Sequence, residues 1–147
     1  MIKISHRGNL KGPDKELENT PDYLKLAISK GYDVEVDLWV IDGKIFLGHD
    51  RPTTEVSIDF MLSIKSNSWF HCKNLEALSY LSDMNEGFVF FWHQNDDYTL
   101  TSNGYIWTYP GKITNHNSIL VVSKNIDLSV FKDIYGVCSD YLEYDIV

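Results

Sequence analysis

Glu35 and Asp37 stand two residues apart in Val34-Glu35-Val36-Asp37-Leu38-Trp39-Val40. In an extended strand that spacing sends both carboxylates to one face and Val34, Val36, Leu38 and Val40 to the other. His71 and Lys73 are related in the same way in Trp69-Phe70-His71-Cys72-Lys73, with Phe70 and Cys72 turned away. His6 closes a similar run beginning at Ile2, His49 follows Phe46-Leu47-Gly48, and His93 follows Phe90-Phe91-Trp92. Of the 5 histidines, only His116 falls outside such strand ends. Imidazoles titrate near neutral pH, while carboxylates and a lysine bring fixed charge, so the group suits proton transfer on a charged substrate. In βα architectures the carboxyl ends of strands are where catalytic residues meet.

Taken singly, the same residues fit plainer roles. Glu35 and Asp37 suit the wet face of an amphipathic strand, and Lys73 a solvated lysine beside a helix start. His6-Arg7-Gly8 reads as a surface turn, and His49-Asp50 as a loop pair whose aspartate caps a turn. His93 fits an aromatic-lined core, Asp140 a strand-end cap, and the four tryptophans packing. Their common position at strand ends is what sets these ionisable residues apart.

The elements that must position them are short. Strand-like runs cover 2–7, 32–40, 44–48, 68–73, 88–93, 105–109, 119–123 and 136–141. Thr20-Pro21-Asp22 has an N-cap residue, a first-turn proline and an acid at the positive end of the dipole. It opens a helix with the stripe Tyr23, Leu24, Ala27 and Ile28, ended by Gly31. Asn74 is placed to cap a second helix carrying Leu75, Leu78 and Leu81, and weaker helical patterns lie over 57–65 and 127–134. Asp42-Gly43 marks a tight antiparallel turn. Strands alternating with helices predict βα units around a largely parallel sheet. A full (β/α)8 barrel takes at least ~200 residues, so the expected fold is α/β, a compact, shortened TIM-like barrel. It would have seven or eight strands and some helices reduced to loops, with residues 1–147 as a single domain.

The 147 residues carry 13 Lys+Arg against 21 Asp+Glu, a net charge of −8. With 44% hydrophobic and 14% aromatic residues the composition is globular and sufficient for one core. An acidic chain without a basic cluster argues against nucleic-acid or anionic-membrane binding, so any phosphate it handles needs a local cationic site or a metal. No apolar run approaches the ~20 residues of a membrane span, and the stretch from Met1 to Arg7 turns polar too early for a secretory signal. The expectation is a cytoplasmic protein without stable membrane insertion, in which Cys72 and Cys138 stay reduced. Exposed sheet edges in so short a barrel can be covered by homodimerisation.

The segments His6-Arg7-Gly8, Glu18-Asn19-Thr20, Gly31 to Asp37, Asp42-Gly43 and Gly48-His49-Asp50 together resemble, in order and spacing, the start of a glycerophosphodiester phosphodiesterase. That family shares its barrel superfamily with phosphatidylinositol-specific phospholipases C. Farther on, Gly136-Val137-Cys138-Ser139-Asp140 resembles the family's final strand. The short interval between His49 and His71 lacks the family's usual insertion. The resemblance implies a hydrolase of phosphoric diesters, connected with lipid metabolism, acting on a small-molecule phosphodiester. It assigns acid/base catalysis to His6 and His49, metal binding to Glu35 and Asp37, and phosphate binding to Arg7 and Lys73. His71 stands where the family has a third carboxylate.

Those roles make chemical sense. A divalent cation neutralises the phosphodiester's oxygens and stabilises charge that grows in the transition state. Carboxylates suit Mg²⁺ or Ca²⁺, and His71 as a ligand would move the preference toward Mn²⁺ or Zn²⁺. Arg7 can form paired hydrogen bonds to phosphate, and Lys73 adds a point charge. In the family a neighbouring glycerol hydroxyl attacks first, giving a cyclic phosphate that water later opens, with two imidazoles exchanging roles. Two other outcomes are open to the same residues: a phospholipase C-like lyase that stops at the cyclic phosphate, and a non-catalytic module that binds a phosphate ligand.

Overall fold

Valine and isoleucine alternating with polar residues make strands here, and short Asn-, Ser- or Pro-headed stretches make helices. The computed structural model describes residues 1–143. Its strands are β1 (Ile2–His6), β2 (Asp33–Ile41), β3 (Lys44–Leu47), β4 (Thr54–Val56), β5 (Ser68–Cys72), β6 (Val89–Trp92), β7 (Tyr98–Leu100), β8 (Ile106–Thr108), β9 (Ser118–Val122) and β10 (Gly136–Ser139). Three α-helices, α1 (Pro21–Ser29), α2 (Ile58–Ile64) and α3 (Leu75–Asp83), lie between them.

All the strands belong to one sheet. Its parallel body runs β6-β5-β2-β1-β10-β9-β8, with β7 antiparallel beyond β8. The second half of β2 leaves this body to pair with β3 through Asp42-Gly43, and β4 adds to β3. Both turn residues have positive φ, 51° and 76°, as a two-residue Asp-Gly hairpin requires.

The sheet curls, and its two faces differ. Outward, Val34, Val36, Leu38 and Val40 are fully buried among residues such as Leu24 and Ala27 of α1 and Ala77 and Leu81 of α3. Inward, Ile4, Trp69, Phe91, Trp107, Ile119 and Cys138, each from a different strand, form a separate core. Phe91 and Trp107 stack there with centroids 4.5 Å apart. This apolar plug floors the space at the carboxyl ends of the strands. Across the remaining gap, the Ser102 amide donates to the Phe90 carbonyl (2.8 Å) and Thr99 Oγ1 to the Trp92 carbonyl (2.6 Å).

The result is a mixed α/β fold, a partial barrel with three helices rather than a ring of βα units. Helices follow β1, β4 and β5, while the connections from β6 onward are turns and loops. The helix expected over 127–134 is one 3-10 turn, Leu128–Val130. Asp127 Oδ1 accepts from the Ser129 amide (2.9 Å), and Asp133 takes a left-handed backbone conformation (φ 55°) that stops a helix short of Ile134. The short strands β4 and β7 lack the length for a readable alternation. Thr20 does precede α1, but its hydroxyl donates to the Leu17 carbonyl (2.6 Å) and does not cap the helix. Asn74 does more than the sequence predicts: its Oδ1 accepts from the Ala77 and Val40 amides while Nδ2 donates to the Val40 carbonyl, tying α3 to β2. No helix among the described residues is long and apolar enough to cross a membrane. Cys72 and Cys138 are both free and buried.

Candidate functional site

The pairing of β2 with β5 sets Asp37 directly beside His71. Alternation along β2 puts Glu35 on the same inward face. His71 Nδ1 lies 3.3 Å from Asp37 Oδ1 and 3.5 Å from Glu35 Oε1, and one ligand atom from each residue falls within 4.8 Å of the others. Atoms bound to one ion at roughly 2.0–2.5 Å sit about 3–4 Å apart, so the spacing fits a shared cation. Burial tightens the case. Asp37 is 0% and Glu35 2% exposed, yet Asp37 Oδ1 and Glu35 Oε2 have no hydrogen-bond partner. Buried carboxylate oxygens without partners are costly unless a cation compensates them.

The surroundings hold these groups in place. Asp37 Oδ2 accepts from Asn19 Nδ2 (2.9 Å), and Asn19 Oδ1 accepts from the Asp37 amide (3.1 Å). On the other side of His71, Nε2 lies 3.3 Å from the His93 carbonyl. That oxygen only accepts, so Nε2 carries a proton, and Nδ1 is the nitrogen that faces the carboxylates and can ligate a metal once its own proton leaves. The ring also stacks on Phe91, centroids 4.9 Å apart. Two carboxylates and an imidazole form a candidate metal site. Its hard oxygens suit Mg²⁺ or Ca²⁺ and its nitrogen Mn²⁺ or Zn²⁺.

His6 ends β1 with Nδ1 2.8 Å from Asp140 Oδ1 and Nε2 3.8 Å from Glu35 Oε2. Asn9 Nδ2 donates to the same Asp140 oxygen (2.8 Å) and to Glu18 Oε2 (3.2 Å). Burial alone would lower the His6 pKa, but the Asp140 hydrogen bond and the Glu35 charge hold it above the ordinary histidine value. Against its own burial penalty, the bond from His6 keeps Asp140 below the usual carboxylate range. Asp140→Asn should therefore lower the His6 titration midpoint, read by NMR of its ring protons. An unmoved His6 titration would remove Asp140 from this positioning role.

Arg7 and Lys73 stand over the same carboxylates. Arg7 Nε is 2.9 Å from Asp37 Oδ2, though out of line for a hydrogen bond, and Nη1 is 3.4 Å from Glu18 Oε1. Lys73 Nζ lies 3.9 Å from Asp37 Oδ1. His49 is on the rim, its side chain 41% exposed and Nδ1 2.8 Å from Asp50 Oδ1. The turn before it is tightly built: Gly48 has φ 148°, and a Cβ there would come within 2.1 Å of the Arg51 carbonyl. Gly48→Ala should cost roughly 3 kcal/mol or more and lower Tm by roughly 10 °C in a thermal melt. An unchanged Tm would contradict this packing.

One cavity of about 340 Å³ joins these residues. His6, Arg7, Glu35, His49, His71 and Lys73 line it, and Asp37 lies behind them. The structure thus brings together around one space the residues expected to act in catalysis, phosphate binding or metal binding, His6, Arg7, Glu35, Asp37, His49, His71 and Lys73, with His49 the most exposed. The far wall adds Tyr109, its ring 3.6 Å from that of His93. Burial, with help from the Glu35 charge, pushes the Tyr109 phenol up, so it stays a neutral hydroxyl. Nothing in the sequence gives Asn9, Asn19 or Tyr109 a role of its own in the site. Asn19 belongs to the segment Glu18-Asn19-Thr20, but nothing local points it at a carboxylate 18 residues away. Comparison of the chain with protein-family models, with curated proteins and with solved structures gives no match.

Proposed function

We propose that the protein is a metal-dependent phosphodiesterase acting on a glycerophosphodiester-like substrate, built on a pared-down TIM-like barrel related to the glycerophosphodiester phosphodiesterases. The observation that carries this reading is the meeting of Glu35, Asp37 and His71, with unpartnered buried oxygens, beside an Asp140-held His6 in a cavity that Arg7 and Lys73 also line. No such reading follows from the fold alone.

Glu35, Asp37 and His71 would hold one divalent cation, which supplies charge neutralisation at the phosphate oxygens. Lys73 adds a second positive charge, and Arg7 contributes Nη2, which has no partner among the described residues. His6, held above the usual histidine pKa, enters as the protonated partner and donates from Nε2 to the leaving alkoxide. His49 is its counterpart on the rim and takes the proton of the attacking hydroxyl. The hydroxyl oxygen bonds to phosphorus as the bond to the leaving oxygen breaks. The two imidazoles exchange roles when water opens the cyclic product.

Purified protein supplied with Mn²⁺ or Mg²⁺ should release the alcohol from glycerophosphodiesters and lose that activity on chelation. Full activity after exhaustive chelation would overturn the metal-dependent reading. Phosphorus NMR of the product separates hydrolysis, which ends in a monoester, from a lyase that stops at the cyclic phosphate.

A further inference from the structure

Beside the site lies a second groove of about 460 Å³, sharing Arg7 and His49 with the first cavity and continuing between the loop after β1 and the loop after β3. Its charges are unevenly satisfied. Glu18 is engaged by Arg7 and Asn9, and Asp50 by His49. Lys15 and Arg51, the remaining ionisable groups of the groove, form no ion pair among the described residues.

Both cations sit on fixed backbone. Lys15 lies in a turn closed by Asp14, whose Oδ1 accepts from the Glu16 and Leu17 amides (3.0 and 3.1 Å) and whose amide donates to Asn9 Oδ1 (3.1 Å). Arg51 belongs to the turn packed on Gly48, where the Thr53 amide and hydroxyl both donate to the Leu47 carbonyl (2.9 Å each). In a chain of net charge −8, a small molecule bearing two phosphoryl groups is repelled at long range and needs local cations to be held.

We infer that the Lys15–Arg51 groove binds a second phosphoryl group of the substrate, so that the preferred diester carries a terminal phosphate on one of its alcohols. This rests on the phosphodiesterase reading of the adjoining cavity and extends it to a substrate class. The diester phosphate would occupy the cavity beside Arg7 and Lys73, and the terminal phosphate the groove between the two free cations. Arg51 offers a planar set of donors and Lys15 a compact charge, both suited to a phosphate monoester.

The test compares two compounds that differ by that one group, glycerophosphoglycerol and its terminally phosphorylated form, at low ionic strength. Wild-type kcat/KM should favour the phosphorylated diester about tenfold, as two solvent-exposed charge contacts allow, and the preference should shrink as salt is added. Lys15→Ser with Arg51→Ser should bring the ratio close to one. Lys124→Ser with Lys132→Ser, which removes the same charge elsewhere, should leave it unchanged. Equal use of the two diesters by the wild type, or a ratio that survives in the Lys15/Arg51 variant, would overturn the inference. Calorimetric titration of both compounds reads the same ratio as affinities. Absence of turnover would therefore count against the phosphodiesterase reading, while the groove stands or falls on its own binding ratio.

Discussion

His6→Ala should reduce kcat by about 10²–10⁴-fold, the usual contribution of a positioned proton donor, with KM altered far less. The expectation follows from where the ring sits. Asp140 fixes Nδ1 at 2.8 Å, and Nε2 is left facing Glu35 and the cavity. Alanine removes the proton donor and leaves Glu35, Asp37 and His71 untouched, so metal affinity should change little. The pH dependence gives an independent check. Because the folded protein holds the His6 pKa above its ordinary value, the protonated form persists to higher pH than in an unperturbed histidine. Activity that depends on it falls as pH rises through that elevated value, and this limb should vanish in His6→Ala. His49→Ala should also slow turnover. If both variants keep wild-type kcat, imidazole acid–base catalysis is absent from this cavity.

Glu35→Gln should weaken binding of Mn²⁺ by more than about 100-fold, beyond what loss of an outer partner costs, and abolish metal-dependent turnover with it. Glu35 is the cleaner choice because Asp37 also anchors Asn19 and approaches Arg7. The amide keeps the shape and removes the charge, and a buried neutral group here is less costly than an unpartnered carboxylate, so the fold should survive. His71→Ala should act in the same direction. Burial would lower the His71 pKa, but the Asp37 and Glu35 carboxylates push it up to about 9. A cation must displace that proton from Nδ1. Mn²⁺ affinity should therefore rise about tenfold per pH unit up to about 9 and then flatten, with close to one proton released per ion at pH 7. Isothermal titration in buffers of different ionisation enthalpy measures the release. Binding that ignores pH, or survives Glu35→Gln, would take the ion away from these residues.

Much of this site is legible in the chain because strand alternation is a local rule. Val34 to Val40 reveals its buried and polar faces without knowledge of its neighbours, and Asp42-Gly43 announces its own turn. Strand ends place His6, His71 and Lys73 at one end of the sheet by the same rule. What stays hidden is long-range. His6 and Asp140 are separated by 134 residues, and nothing in either segment specifies the partner. Asn9 and Asn19 read as loop residues until the fold brings them onto Asp140 and Asp37. The pattern over 127–134 fails for a different reason, because Asp127 closes its own turn instead of starting a helix. His49 lies at the right end of its strand, but Gly48 swings it to the rim, where its exposure depends on backbone conformation and not on sequence periodicity.

The central claim is that Glu35, Asp37 and His71 share one cation. Crystals grown with Mn²⁺, with anomalous diffraction recorded on either side of the manganese edge, test it directly. The predicted map has one strong peak within bonding distance of all three side chains at the carboxyl ends of β2 and β5. A map with no peak there under saturating Mn²⁺, or with its peak on other residues, would contradict it.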